Sequence, residues 1–161
     1  MDFEFAVLEF PETKVAGIKT GTNLQNMQKD CAALWESFGP RVYGELAMHQ
    51  SIPEMPATYG IWKMIDKDRF EYWAAIEIDS EDKLPADLEI LTLPLSMYVT
   101  CQVPGISKLG DAYREAYEQW PGSQTDYVLD KEGIGFEHYP YRWQKEDEFE
   151  IYVPVKMKRL G

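Results

Sequence analysis

Hydrophobic and polar positions alternate over several short runs of the chain, and at two places the period changes to that of a helix. Phe5-Ala-Val-Leu-Glu-Phe10, closed by Pro11, predicts a strand, and Lys14-Val-Ala-Gly-Ile-Lys19 predicts a second. Leu24, Met27, Cys31, Leu34, Trp35 and Phe38 then recur at helical spacing. A capping-box pattern, Thr22-Asn-Leu-Gln25, opens this helix, and Gly39-Pro40 predicts its end. Ala57–Met64 and Phe70–Ile78, around a turn at Asp66-Lys-Asp68, predict a hairpin.

The second half repeats the first. Leu88-Glu-Ile-Leu-Thr-Leu-Pro94 and Met97–Val103 predict two strands. Ile106, Leu109, Tyr113, Ala116, Tyr117 and Trp120 form a helical stripe ending at Pro121-Gly122, and each lies 82 positions after its counterpart in the first stripe. Ile134–Tyr139 and Phe149–Val155 predict a second hairpin, in which Phe149-Glu150 matches Phe70-Glu71 and Tyr152 matches Trp73. Two stripes in one register indicate a duplication. The pattern predicts a single α+β domain over residues 1–161, a duplicated β-α-β-β module with a pseudo-twofold axis. Repeat one covers about 1–79 and repeat two about 87–158. Segments 40–56 and 121–133 are expected as loops, 79–87 as an acidic link, and both stripes as core.

Each half is expected to make a small antiparallel sheet with its helix on one face. Strand parity then puts Phe149, Ile151, Val153 and Val155 under one helix, and Phe70, Tyr72, Ala74, Ile76 and Ile78 under the other. Glu71, Trp73, Glu77, Glu150 and Tyr152 point away, with Tyr98, Thr100 and Gln102. Water-facing strands rarely carry Trp and Tyr, so these helix-free faces are expected to meet as an aromatic cleft with a carboxylate inside. Trp62 and Trp143, in or beside the hairpins, are expected to border its mouth.

The net charge of −12 over 161 residues, with no basic run beyond Lys156-Met-Lys-Arg159, argues against direct nucleic-acid contact. Cys31 and Cys101 fall within apolar patterns, and His49 and His138 are isolated, so neither a zinc site nor another metal or cofactor is expected. The start, MDFEFAVLEF, lacks the basic region of a signal peptide, and no apolar run is long enough to span a membrane. A cytoplasmic protein is expected.

The paired strands ending in Pro11 and Pro94, the run Gly105–Trp120, Phe136-Glu-His-Tyr139 and Glu150-Ile-Tyr-Val-Pro-Val155 together resemble the GyrI-like, or AraC-type effector-binding, domain of bacteria, in stand-alone form. The resemblance implies the duplicated fold with a ligand cleft between the halves, a lipophilic cationic small molecule as ligand, and a cleft glutamate, falling most naturally on Glu150 with Glu71 second. It implies aromatic walls, for which Trp73, Tyr98, Tyr152, Trp62 and Trp143 are candidates. Members are often fused to a helix-turn-helix domain, for which the two repeats leave no room, so a sensor or sequestering module is expected. A separate transcription regulator as partner and a homodimer are both compatible with it. Two alternatives stand beside this reading. One is a hydrolase using a cleft Glu and Tyr, although no catalytic set beyond Glu150 and Tyr152 is visible. The other is an acidic protein-interaction module of the gyrase-inhibitor kind.

Overall fold

The computed structural model describes residues 2–50, 57–81 and 83–158. The fold is α+β, and nine strands among these residues form one continuous antiparallel sheet rather than two small ones. The strands are β1 (Ala6–Phe10), β2 (Thr13–Asn23), β3 (Thr58–Met64), β4 (Arg69–Glu77), β5 (Glu89–Leu93), β6 (Ser96–Val103), β7 (Tyr127–Leu129), β8 (Gly135–Tyr139) and β9 (Phe149–Met157). The main order is β1-β6-β9-β8-β3-β4-β2-β5, with β7 paired to β9. The order is a palindrome of the repeat. β1 matches β5, β6 matches β2, β9 matches β4, and β8 meets β3 at the central seam.

The lead-in strands are exchanged between the halves. β1 pairs with β6 of the second half, and β5 with β2 of the first. Only Pro11 and Glu12 separate β1 from β2, yet six strand spacings lie between them in the sheet. A flat sheet would hold them roughly 29 Å apart, whereas three Cα steps reach about 11 Å. The sheet must therefore curl until its ends approach, and Pro94-Leu95 imposes the same constraint between β5 and β6.

Curling gives the sheet a concave inside with no helix. Val15, Tyr59, Ile61, Trp73, Ala75, Leu93, Tyr98, Phe136 and Tyr152 from both halves pack there as one buried cluster. Phe10, on the edge strand β1, lies 5.0 Å from the Phe136 ring on β8 and 5.4 Å from Tyr152, while Phe136 and Tyr152 stack at 4.5 Å. The helix-free faces do meet, as the alternation implies. They meet as a filled core rather than an open groove, because rings from six strands occupy the space.

The helices lie outside. α1 (Met27–Val42) covers Ala16, Ala74, Ile76 and Ile78 with Phe38 and Val42. α2 (Leu109–Arg114) runs on into a π turn (Glu115–Gln119) and a 3-10 turn (Trp120–Ser123), covering Val99, Ile151, Val153 and Val155 with Ala112, Ala116 and Trp120. Several local expectations need correction. α1 runs through Gly39-Pro40, because burial of Val42 and the pairing of Arg41 with Glu45 and Asp87 offset one lost backbone bond. Thr22 belongs to β2 and donates to Asp30. Asn23 instead accepts the N–H groups of Gln25 and Asn26, so the capping box does not form. Segment 121–133 contains β7, and segment 40–56 begins within α1 and includes a 3-10 turn at Ala47–His49, with 51–56 outside the described residues. The stripes are core only in part, since Leu24, Met27, Ile106 and Tyr117 are exposed.

The concave cluster should carry much of the stability. Phe136→Ala is expected to cost about 3–5 kcal/mol, the range for emptying a buried aromatic site, read as a lower urea midpoint with an unchanged slope.

Candidate functional site

At the β3–β8 seam both helices overlook the same strip of sheet. Alternation along β8 sends Phe136 and His138 to the concave side and Glu137 and Tyr139 to the helix side. The register places Glu137 opposite Gly60 and Trp62 opposite Gly135. Each glycine makes room for the large group across the seam. A Cβ on Gly60 would lie 2.2 Å from the Tyr72 hydroxyl and 2.7 Å from Glu137 Oε1, and one on Gly135 would lie 2.1 Å from the Trp62 ring.

Glu137 is 5% exposed. The hydroxyls of Tyr72 on β4 and Tyr139 on β8 donate to its Oε1 at 3.1 and 2.5 Å, and that of Tyr113 on α2 donates to Oε2 at 2.7 Å. Trp35 Nε1 on α1 donates to the Tyr72 oxygen at 3.0 Å. Four elements thus converge on one carboxylate, and every group bonded to it is a neutral phenol. None of the ion pairs among the described residues involves Glu137.

Burial raises the pKa of Glu137, and the three tyrosine bonds oppose that rise. Burial, followed by the Glu137 charge, holds Tyr72, Tyr113 and Tyr139 well above the ordinary phenol range, so they remain donors. Burial first, and Glu137 second, pushes the nearby Cys31 thiol up to about 12. A desolvated carboxylate without a counter-ion is a place where a cation gains most.

Rings surround it. Trp62 packs edge-on against Tyr113 at 5.2 Å, Tyr139 meets Trp35 at 5.8 Å and Trp143 at 4.7 Å, and Tyr117 on the next helical turn is exposed. Of the seven residues singled out from the sequence, Trp62 and Trp143 lie here. Trp73, Tyr98 and Tyr152 lie across the sheet in the concave cluster, at 5%, 1% and 7% exposure. Glu71 and Glu150 flank that cluster. Glu71 accepts from Trp73 Nε1 at 2.8 Å and pairs with Lys19, and Glu150 accepts from Tyr152 at 3.0 Å with His138 Nδ1 at 3.6 Å. Glu137 was not among the seven, although the repeat marks it. Gly60-Ile-Trp62 aligns with Gly135-Phe-Glu137, so Glu137 takes the seam position that Trp62 holds in the first half.

Among the described residues no cluster of three or more His, Cys, Asp or Glu could hold a metal ion, and no helix is long and apolar enough to cross a membrane.

A family model described as integron-associated effector binding protein matches residues 7–155. The fold is similar to SAV2435 bound to tetraphenylphosphonium, with 19% identity, TM-score 0.75, and 95% of this chain and 94% of that one covered. It is similar to an integron cassette protein from the mobile metagenome of Vibrio cholerae (18% identity, TM-score 0.66, 96% and 97% covered). It is also similar to the EcmrR C-terminal domain (17% identity, TM-score 0.65, 97% and 99% covered). A comparison with curated protein sequences finds no match.

Two outcomes follow from the cage. Gly60→Ala should separate Tyr72 from Glu137 and lower stability by about 1–3 kcal/mol, the cost of a disturbed buried polar contact, measured by urea unfolding. The folded pKa of Glu137 lies above its unfolded value, so the folded state holds the extra proton. Its contribution to stability is fullest at acid pH and falls as pH rises from about 4.3 through the folded value. Melting curves across that window should therefore show wild type losing stability relative to Glu137→Gln as pH rises; parallel curves would contradict the assignment.

Proposed function

The chain belongs to the integron-associated effector-binding protein family, and on that premise we propose that it binds lipophilic organic cations between α1 and α2, with Glu137 as their counter-charge. The observation that carries this reading is the buried Glu137 carboxylate, met by three phenols and by no cation. A permanent organic cation supplies the missing partner and brings apolar surface that matches the Trp35, Trp62, Tyr113 and Trp143 rings. Each ring contact adds about 0.5–2 kcal/mol of cation–π attraction. The cation bound by the similar SAV2435 structure is of this chemical class.

The geometry also indicates how discrimination works. Every fixed donor at Glu137 is a hydroxyl, so the site has no directional pattern to impose on a ligand beyond charge and flatness. Broad selectivity among bulky cations follows. Tyr72 and Tyr139 are set in the sheet, whereas Tyr113 comes from the helical layer, so an entering cation reaches Oε2 by replacing the Tyr113 hydroxyl. The module then acts as a sensor or a sequestering protein for such compounds.

This reading moves the central glutamate expected at Glu150 to Glu137. Glu150 is half-buried and already faces Tyr152 and His138, while the rings beside it are packed against one another.

Titration with tetraphenylphosphonium, followed by Trp fluorescence and calorimetry, tests it. Saturable binding is expected in wild type, weakened by roughly 1.5–3 kcal/mol in Glu137→Gln, the scale of a bond to a charged group, and unchanged in Glu150→Gln. A neutral compound of the same shape should bind no better to wild type than to Glu137→Gln. Equal affinity of the cation for wild type and Glu137→Gln would overturn the reading, and loss confined to Glu150→Gln would return the role to Glu150.

A further inference from the structure

The duplication places two carboxylate–ring pairs on the concave side, Glu71 with Trp73 and Glu150 with Tyr152. In the first half a resident cation completes the set. Lys19, cross-strand from Trp73, puts its Nζ 5.3 Å over the Trp73 ring, 3.7 Å from Glu71 and 3.0 Å from Glu89. The residue cross-strand from Tyr152, at the equivalent place, is Thr100. It carries no charge, is only 8% exposed, and its Oγ1 lies beside the Tyr152 hydroxyl without hydrogen-bonding geometry to it or to any other group.

Both copies therefore keep a carboxylate beside a ring. Leu8 takes the register place of Glu89 in the second copy, which thus lacks both that acid and the ammonium. Its nearest titratable neighbour is His138, at 3.6 Å from Glu150, and the Tyr59 ring covers that imidazole at 5.2 Å. Glu77 of β4 acts electrostatically on both His138 and Tyr59, so the surrounding field is negative. A half-exposed carboxylate, a neighbouring acid and the hydroxyl oxygens of Tyr152 and Thr100 offer acceptors to whatever enters.

We propose that Glu150, Tyr152 and Thr100 form a second site, on the opposite side of the sheet from Glu137, which takes the alkylammonium group of an incoming molecule in the place that Lys19 fills in the first half. The ligand class differs from that of the Glu137 cleft. Lys19 shows a slender primary ammonium being held by two carboxylates and one ring, and the packed rings leave no room for a bulky quaternary ion. The site stands independently of the cleft reading.

The test uses n-butylammonium as probe, with the imidazole protons of His138 as an NMR reporter. A saturable shift of His138 is expected in wild type and in Glu137→Gln. It should weaken at least about tenfold in Glu150→Gln, the loss that follows removal of a charged acceptor. Thr100→Lys should supply its own ammonium and abolish the response. Thr100 is buried, so the reciprocal change on an exposed position guards against misfolding: Lys19→Thr should empty the first site and add a second equivalent of bound butylammonium. Absence of a saturable shift in wild type would overturn the proposal. So would a shift that persists unchanged in Glu150→Gln, or a stoichiometry that Lys19→Thr leaves at one.

Discussion

Two corners of two residues each hold this architecture together. Pro11-Glu12 and Pro94-Leu95 join strands that lie at opposite ends of the sheet order. A chain that short cannot bridge a flat sheet, so the curl is a covalent requirement before it is an energetic one. Everything apolar on the inside must then fit a shrinking space, which explains why that side is filled with interlocking rings and carries no helix. Both helices are left to the convex side. Because curvature spreads the outer surface, they cannot cover it completely.

Glu137 sits on that convex side between the two helices. The β3–β8 seam is the line about which the two halves are related, and Trp35 of α1 and Tyr113 of α2 both reach it. A side chain there is buried by the flanks of both helices. The glycines at 60 and 135 let the seam hold one bulky group on each side without pushing the strands apart. Placing the carboxylate on a strand paired on both sides fixes its position, and one of its three donors comes from the helical layer.

Much of this was legible from residue order. The two helical stripes, the hairpins and the helix-side parity of the strands all follow from periods of 3.6 and 2, which are local properties. The aromatic faces were legible too, and Trp73, Tyr98 and Tyr152 do meet. What local pattern does not contain is the sign of the curl. Parity separates the faces of a strand without saying which face closes on itself and which opens toward helices. The exchange of β1 and β5 between halves is likewise a long-range choice, hidden in two proline corners that read only as strand ends. Glu150 attracted notice because its flanks alternate cleanly. Glu137 lies in a strand of five residues beside a loop of Pro and charge, where alternation has little length in which to show.

Duplication supplies two of every feature, so chemistry specific to one half must come from positions where the copies differ. Trp62 and Glu137 occupy equivalent places at the seam, each opposite a glycine, and the difference between them turns a symmetric hydrophobic strip into one with a single charge beside a ring. Had both been Trp, the strip would carry no charge. Had both been Glu, two carboxylates would crowd a dry space and one would stay protonated. The same logic separates Lys19 from Thr100: the first copy sets an ammonium beside its carboxylate, and the second sets an uncharged hydroxyl there. The two halves therefore share a scaffold and differ in charge: the matched positions build the sheet and its cores, and the unmatched ones set where the carboxylates and their partners stand.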